Sequence, residues 1–240
     1  ESFDRALAID PGDADAHLLR CRSLAALRRY DEAVDACGAA VEARPGDAEA
    51  LRDRGHYHLN AGRLDAGLAD LTKAAAMAPR DRGVFYHLGL AHYLQGNFAQ
   101  AATAYEQCSD TSATDAARIE CQAWLLPSLL RAGRRQEAKT LLARLPSSPV
   151  AGHSLLHLRR VLLLQGGKTE ADLVATMSSE GAVTETTVGY SIGLWHLLNG
   201  RTEAARTYFQ RAVDAKLPTS WGARAAEAEL RRMAAPAGTR

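Results

Sequence analysis

Aromatic residues make up only 6% of this 240-residue chain, and no run of 18 apolar residues occurs anywhere along it. The missing run excludes a membrane-spanning helix, and the dominance of Ala, Leu, Arg and Glu points to a helical protein. Net charge is also nearly absent, at +1, which argues against a general polyanion binder, and no nucleic-acid partner is expected. The balance hides an asymmetry, because residues 1–120 carry 13 Lys/Arg against 19 Asp/Glu while residues 121–240 carry 16 against 9. Opposite signs at the two ends favour head-to-tail contacts or a bipolar partner, unless they are solvated outer faces.

Cysteine is sparse too. Cys21, Cys37, Cys108 and Cys121 include no C-x-x-C pair. Cys21 and Cys37 fall on the packing faces of one hairpin and are expected as buried free thiols. Cys108 and Cys121 flank an irregular loop and would pair if the protein is exported. No signal peptide is present, and Phe3 to Pro11 reads as the tail of a second helix whose partner lies upstream, so the chain reads as a mature or trimmed fragment. There is no G-x-S-x-G, no carboxylate pair in a plausible pocket and no basic patch interleaved with aromatics. No catalytic residue, cofactor or metal ligand is expected.

What the chain does have is a period. Pro11, Pro45 and Pro79 are 34 residues apart, as are Ala33, Gly67 and Ala101, and Gly62 and Gly96. The unit is clearest from Ala48 to Asp81: a helix to Asn60, a turn at Ala61-Gly62-Arg63, a helix from Asp65 to Met77 and a stop at Pro79. Such a period means stacked helical hairpins, since one hairpin cannot bury its own apolar face. After Gln107 the register loosens, with 37 residues from Gly96 to Gly133, then 33 to Gly166 and 34 to Gly200. The segment Ser109 to Asp115 absorbs the extra three. Pro127, deep in a helix expected from Ala116 to Ala132, should kink it at a cost near 3 kcal/mol and bend the array. Helices follow near Gln136–Leu145, Val150–Gln165 and Thr169–Ser179, then a hairpin Thr186–Asn199 and Thr202–Ala215. A capping helix from Ser220 to Met233 and a loose tail Ala234–Arg240 close the chain.

With Ala14, Ala48 and Arg82 as first positions, the sequence resembles tetratricopeptide repeats, whose pattern is W-x2-L-G-x2-Y, then A-x3-F-x2-A and a late P. The third repeat carries Phe85, Leu88, Gly89, His92, Ala101 and Tyr105; the second Leu51, Gly55, His58, Gly67, Leu71, Ala74 and Pro79; the first Cys21, Leu24, Ala33, Ala40 and Pro45. The resemblance implies an all-α TPR-like α-solenoid, a right-handed superhelix of about six hairpins plus the cap. It would be a single domain over 1–240, regular over 1–107, irregular over 108–181, with the final hairpin and cap over 182–233 and the tail over 234–240.

Two motifs are decoys. Gly166-Gly167-Lys168-Thr169 looks like the end of a phosphate-binding loop, but Leu162 stands where that motif needs Gly and a helix precedes it in place of a strand. His153 and His157 have the i, i+4 spacing of zinc peptidases, yet Ser154 replaces the catalytic Glu and no third ligand is evident.

In tetratricopeptide arrays the first helices of successive hairpins line a ligand groove. By that resemblance it holds Asp15, Arg22, Glu49, Arg52, His56, Asn60, Tyr86, Leu90, Tyr93 and Leu94. Tyr86, Leu90 and Tyr93 fall at i, i+4 and i+7, one stripe of one helix. Beside Arg52, His56 and Asn60 this stripe suits a peptide or helix with apolar anchors and a polar edge, unless it packs on the chain's own neighbouring helix. The family's carboxylate clamp is absent, since Leu18 and Arg22 occupy its Lys and Asn positions. A second candidate interface is the leucine-rich set Leu163, Leu164, Leu194, Leu197 and Leu198. These are covered either by the solenoid itself or by another subunit.

The ordering of repeats, irregular middle and final hairpin Ile192 to Leu198 with its cap also resembles NlpI-type bacterial lipoproteins, which are lipid-anchored dimeric periplasmic adaptors. That resemblance implies a bacterial periplasmic or membrane-anchored protein whose N-terminal lipid signal has been removed, the alternative being cytoplasmic. The expected function is a non-enzymatic scaffold or adaptor for a partner protein segment, as a homodimer or within a larger complex; the alternative is a structural subunit of a larger assembly.

Overall fold

The computed structural model describes residues 2–145, 154–177, 181–217 and 219–235, and these residues form helices and turns with no strand. Helix α1 (Ser2–Ile9) precedes six helix–turn–helix pairs. These are α2 (Ala14–Ala26) with α3 (Tyr30–Ala43), α4 (Ala48–Asn60) with α5 (Leu64–Met77), and α6 (Arg82–Gln95) with α7 (Phe98–Asp110). Then come α8 (Asp115–Arg131) with α9 (Arg135–Arg144), α10 (Ser154–Gln165) with α11 (Glu170–Met177), and α12 (Ala182–Leu198) with α13 (Thr202–Asp214). Helix α14 (Trp221–Ala234) follows as the cap. Contacts group residues 1–92 and residues 93–240 into two compact units.

The 34-residue period is written into caps as well as prolines. Asp13, Asp47 and Asp81 each accept two backbone N–H groups at the start of α2, α4 and α6, at 2.7–3.2 Å. A short side-chain acceptor there satisfies donors that the first turn leaves unpaired. Turns follow the same period. Gly62 sits at φ +78°, and the equivalent position of the first hairpin is Arg28 at φ +60°, a left-handed conformation that costs a side chain about 1–2 kcal/mol.

In the first unit the hairpins close tightly. A Cβ on Gly55 would lie 2.7 Å from Leu71 Cγ and 3.1 Å from the Gly67 carbonyl, so a small residue on α4 admits a large one from α5. In the first hairpin Cys21 and Cys37 are bonded to each other, with Cα atoms 5.2 Å apart, in a cluster with Leu18, Leu24, Ala33, Ala36 and Ala50. They are therefore not the free thiols expected. Facing helices put both sulfurs on one seam, which is the geometry a disulfide needs.

The second unit has an aromatic core. Tyr93, Trp124, Tyr190 and Phe209 are fully buried in a chain of ring contacts: Tyr93 on Trp124 at 5.4 Å, Trp124 on Tyr190 at 5.7 Å and Tyr190 on Phe209 at 5.8 Å. The Tyr93 and Tyr190 hydroxyls bond to each other, and burial pushes the Tyr93 phenol up to about 12. Cys108 and Cys121 are bonded between α7 and α8. Helix α8 continues through Pro127 from Asp115 to Arg131. Proline lacks the N–H that would bond the carbonyl four residues back, and that carbonyl, Ala123 O, accepts instead from Arg160 Nη1 of α10 at 3.0 Å. Arg160 is itself buried, donating to Ser191 at 3.0 Å with its guanidinium 4.5 Å from the Trp124 ring centre.

Leu163 packs with Leu173, Met177, Val188 and Ile192 from α11 and α12. Leu163 and Leu194 are thus covered by the chain itself, which corrects their reading as an interface for another subunit. An apolar side chain already surrounded has no surface left for a partner. Leu164, Leu197 and Leu198 are half-buried. Helix α12 begins four residues before the expected Thr186, whose hydroxyl is accommodated inside the helix by bonding back to the Val183 carbonyl. Gly166, at φ +76°, is a hairpin turn after a helix, as its place in the repeat implies. His153, the side chains of Leu155, Leu156, His157 and Leu158, and residues 236–240 lie outside the described residues.

Candidate protein-binding face

In the first unit the first helices of three hairpins, α2, α4 and α6 as far as His92, are joined by side chains on one face. Arg22 of α2 donates from Nε to Asp53 Oδ2 at 2.7 Å and pairs through Nη2 with Glu49 at 2.7 Å. Arg52 takes the other oxygen of Asp53 at 2.8 Å, reaches Glu49 at 3.2 Å, and pairs with the cap of α6, Asp81, at 3.4 Å. Asp53, only 8% exposed, is thereby held between two guanidiniums. Burial opposes the charges on Arg22 and Arg52, and the neighbouring carboxylates outweigh it, raising both above the ordinary arginine value.

Beside this ladder lies a row of rings. His56 of α4 stacks on His87 of α6 with centroids 4.2 Å apart; Tyr57 lies 5.0 Å from His56, and Tyr86 meets His87 edge-on at 5.4 Å. His87 Nδ1 bonds the Gly83 carbonyl at 2.8 Å, and because a carbonyl only accepts, Nδ1 carries the proton. Burial pushes His87 down to about 4, with Arg52 adding to it, and burial, His87 and Arg52 together push His56 well below its ordinary value. Both imidazoles are neutral at pH 7. Two neutral rings can stack closely where two imidazolium ions would repel.

The sign of the pH effect follows. Above about 6.5, the ordinary histidine value, folded and unfolded chains both hold these rings neutral and the full stability is present. As pH falls towards the folded value of His87, about 4, the unfolded chain takes up protons that the folded one refuses, so stability declines. The melting temperature should therefore fall between pH 6.5 and 4.5, and His87→Gln should flatten that slope. An unchanged slope would place the dependence elsewhere.

The face brings together Arg22, Glu49, Arg52, His56 and Tyr86 of the expected residues, while Asp15 pairs with Arg44 at 3.0 Å. It excludes others. Leu90, Tyr93, Leu94 and Asn60 are buried. Tyr93 and Leu94 belong to the second unit, where Tyr93 is core, so the Tyr86–Leu90–Tyr93 stripe is not a continuous ligand surface. Its i, i+7 spacing is real, but the last turn of α6 meets different neighbours from the first. Asp53, Tyr57, Asp81 and His87 complete the face and were not singled out from the sequence. Asp81 had a visible signal, its 34-residue spacing from Asp47.

Family models for the tetratricopeptide repeat match residues 1–52 and 52–117. Residues 1–117 are tetratricopeptide repeats. Solved structures agree with that fold over nearly the whole chain. A tetratricopeptide-repeat protein from Parabacteroides merdae aligns with a TM-score of 0.61 at 16% identity, over 94% of this chain and 90% of that one. YrrB, described as a TPR protein with an unusual peptide-binding site, aligns at 0.56 and 16% identity over 90% and 93%. PilF of Pseudomonas aeruginosa aligns at 0.53 and 16% over 95% and 86%. Likenesses this distant show the fold alone. No curated protein matches the sequence. Tetratricopeptide-repeat proteins generally mediate protein–protein interactions, through surfaces that stacked repeats present side by side.

Among the described residues no cluster of three His, Cys, Asp or Glu could hold a metal, and no helix is long and apolar enough to cross a membrane.

Proposed function

We propose that this protein is a non-enzymatic adaptor that holds a segment of another protein on the α2–α4–α6 face of its first unit. The carrying observation is the partly exposed row of Tyr57, His56, His87 and Tyr86 laid beside the Arg22–Asp53–Arg52–Asp81 ladder. Rings supply apolar contact area at low entropic cost, and an ion-pair ladder supplies a polar edge that fixes register. A peptide or helix with apolar anchors and a polar side suits such a face. Its near balance of charge disfavours a nucleic acid. In the second unit Trp124 of α8, Arg160 and Leu163 of α10, and Tyr190 and Leu194 of α12 are buried in its own core, which favours the first unit as the surface. The resemblance to NlpI-type adaptors makes a cell-envelope protein the natural partner. The alternative, a structural subunit covered through its leucine-rich helices, is weakened because Leu163 and Leu194 are already covered.

Photo-crosslinking tests this reading. A photoreactive residue in place of Tyr86 or Glu49 in the full chain, irradiated in native cells, should capture one discrete protein that the same residue in place of Trp195 or Leu197 does not. Capture from Trp195 and Leu197 alone would overturn the assignment and favour the subunit reading.

A further inference from the structure

Four cysteines in two units form two bonds, and none is left over. Their positions say that the first bond replaces a packing contact. Gly55 and Leu71 are a small–large pair in which the Leu side chain fills the space above a glycine, and Gly193 and Phe209 are another, with a Cβ on Gly193 lying 2.5 Å from the Phe209 ring. Each pair is 16 residues apart across one hairpin. Cys21 and Cys37 stand 34 residues before Gly55 and Leu71, at the same two places, and are likewise separated by 16. Two cysteines therefore occupy both positions of one contact. A thiol at one place alone would meet Gly or Leu across the seam; both together make a bond where the second and sixth hairpins interlock. The second pair, Cys108 and Cys121, ties α7 to α8 across the segment where the 34-residue register is lost.

We infer that this protein receives both disulfides from an external disulfide donor as it folds, and that it works in an oxidising compartment. Both bonds are fully buried, so a donor cannot reach them in the folded protein and must act before each helix pair seals. One cysteine thiolate attacks a donor sulfur, forming a mixed disulfide and expelling the donor's other sulfur as a thiolate. The second cysteine, deprotonated, then attacks its neighbour's sulfur and releases the donor as a dithiol. Each bond thus passes two electrons to the donor, which carries away the two protons as well. In a glutathione-buffered cytosol such pairs stay reduced, whereas secreted and periplasmic chains keep them. The inference is independent of which protein the first unit binds.

The test uses the full chain from the cells that make it, with thiols frozen by acid and then alkylated before any reduction. Expected are a chain with no alkylated cysteine, lighter than the fully reduced form by the four hydrogens of two bonds, and linked peptides joining Cys21 to Cys37 and Cys108 to Cys121. Four alkylated cysteines would overturn the inference, as would a crossed pairing such as Cys37 with Cys108. A Cys21→Gly/Cys37→Leu variant guards against misfolding. Restoring the interlocking pair of the second hairpin should give a folded chain carrying the Cys108–Cys121 bond alone.

Discussion

Glu229→Ala should destabilise the second unit by about 3–5 kcal/mol, the usual result of removing one partner from a buried ion pair. Glu229 lies on the capping helix with its side chain 1% exposed. One oxygen meets Arg131 of α8 at 2.5 Å and the other meets Arg232 at 3.1 Å. Both guanidiniums also lie over Phe98, at 4.4 and 5.3 Å from its centre, and Arg232 donates to the Leu94 carbonyl at 3.0 Å. One carboxylate therefore gathers α14, α8, the start of α7 and the last turn of α6. Burial opposes the charge on Arg131, and Glu229 outweighs it, so the alanine variant leaves a half-buried cation without its main counter-charge. Glu229→Gln, which keeps hydrogen-bonding atoms and loses the charge, should fall between the two in urea denaturation. A loss below about 1 kcal/mol for the alanine variant would mean that the arginines swing out to water at little cost, as surface pairs do.

Arg160→Ala should cost about 3 kcal/mol or more, combining lost packing between Trp124 and Tyr190 with a buried carbonyl left without its donor. The sharper outcome is its coupling to Pro127. In a Pro127→Ala background residue 127 regains an N–H that can reach the Ala123 carbonyl, so removing Arg160 should then cost less, by about 1 kcal/mol or more. A double-mutant cycle by urea denaturation measures this. Strictly additive losses would show that the Arg160 bond to Ala123 does not answer the proline.

These two sites also show where sequence reading stops. The hairpins were legible because their determinants are local and periodic: left-handed turns 34 residues apart, prolines that end second helices, small residues where helices cross. Arg22, Arg52, His56 and Tyr86 were legible as a face for the same reason, each holding a repeat position. Tyr93 was misplaced because helical spacing says which residues share a face and not what that face meets; its neighbours Trp124 and Tyr190 lie 31 and 97 residues away. Arg160 and Glu229 read as ordinary charges on Leu-rich and Ala-rich helices. Their burial follows from an orphaned carbonyl 37 residues upstream and from two arginines, one of them 98 residues away. The Cys21–Cys37 bond had a local signal, its alignment with Gly55 and Leu71. That signal acquires meaning only once those two are known to touch.

The division between an open face in the first unit and a filled core in the second is the central claim. Amide hydrogen exchange of the full chain, with and without the protein captured from position 86, tests it most directly. The account predicts that the partner slows exchange in α2, α4 and the first turns of α6 while α8, α12 and α14 are unchanged. Slowing confined to α12 and α14, with α4 unaffected, would contradict it.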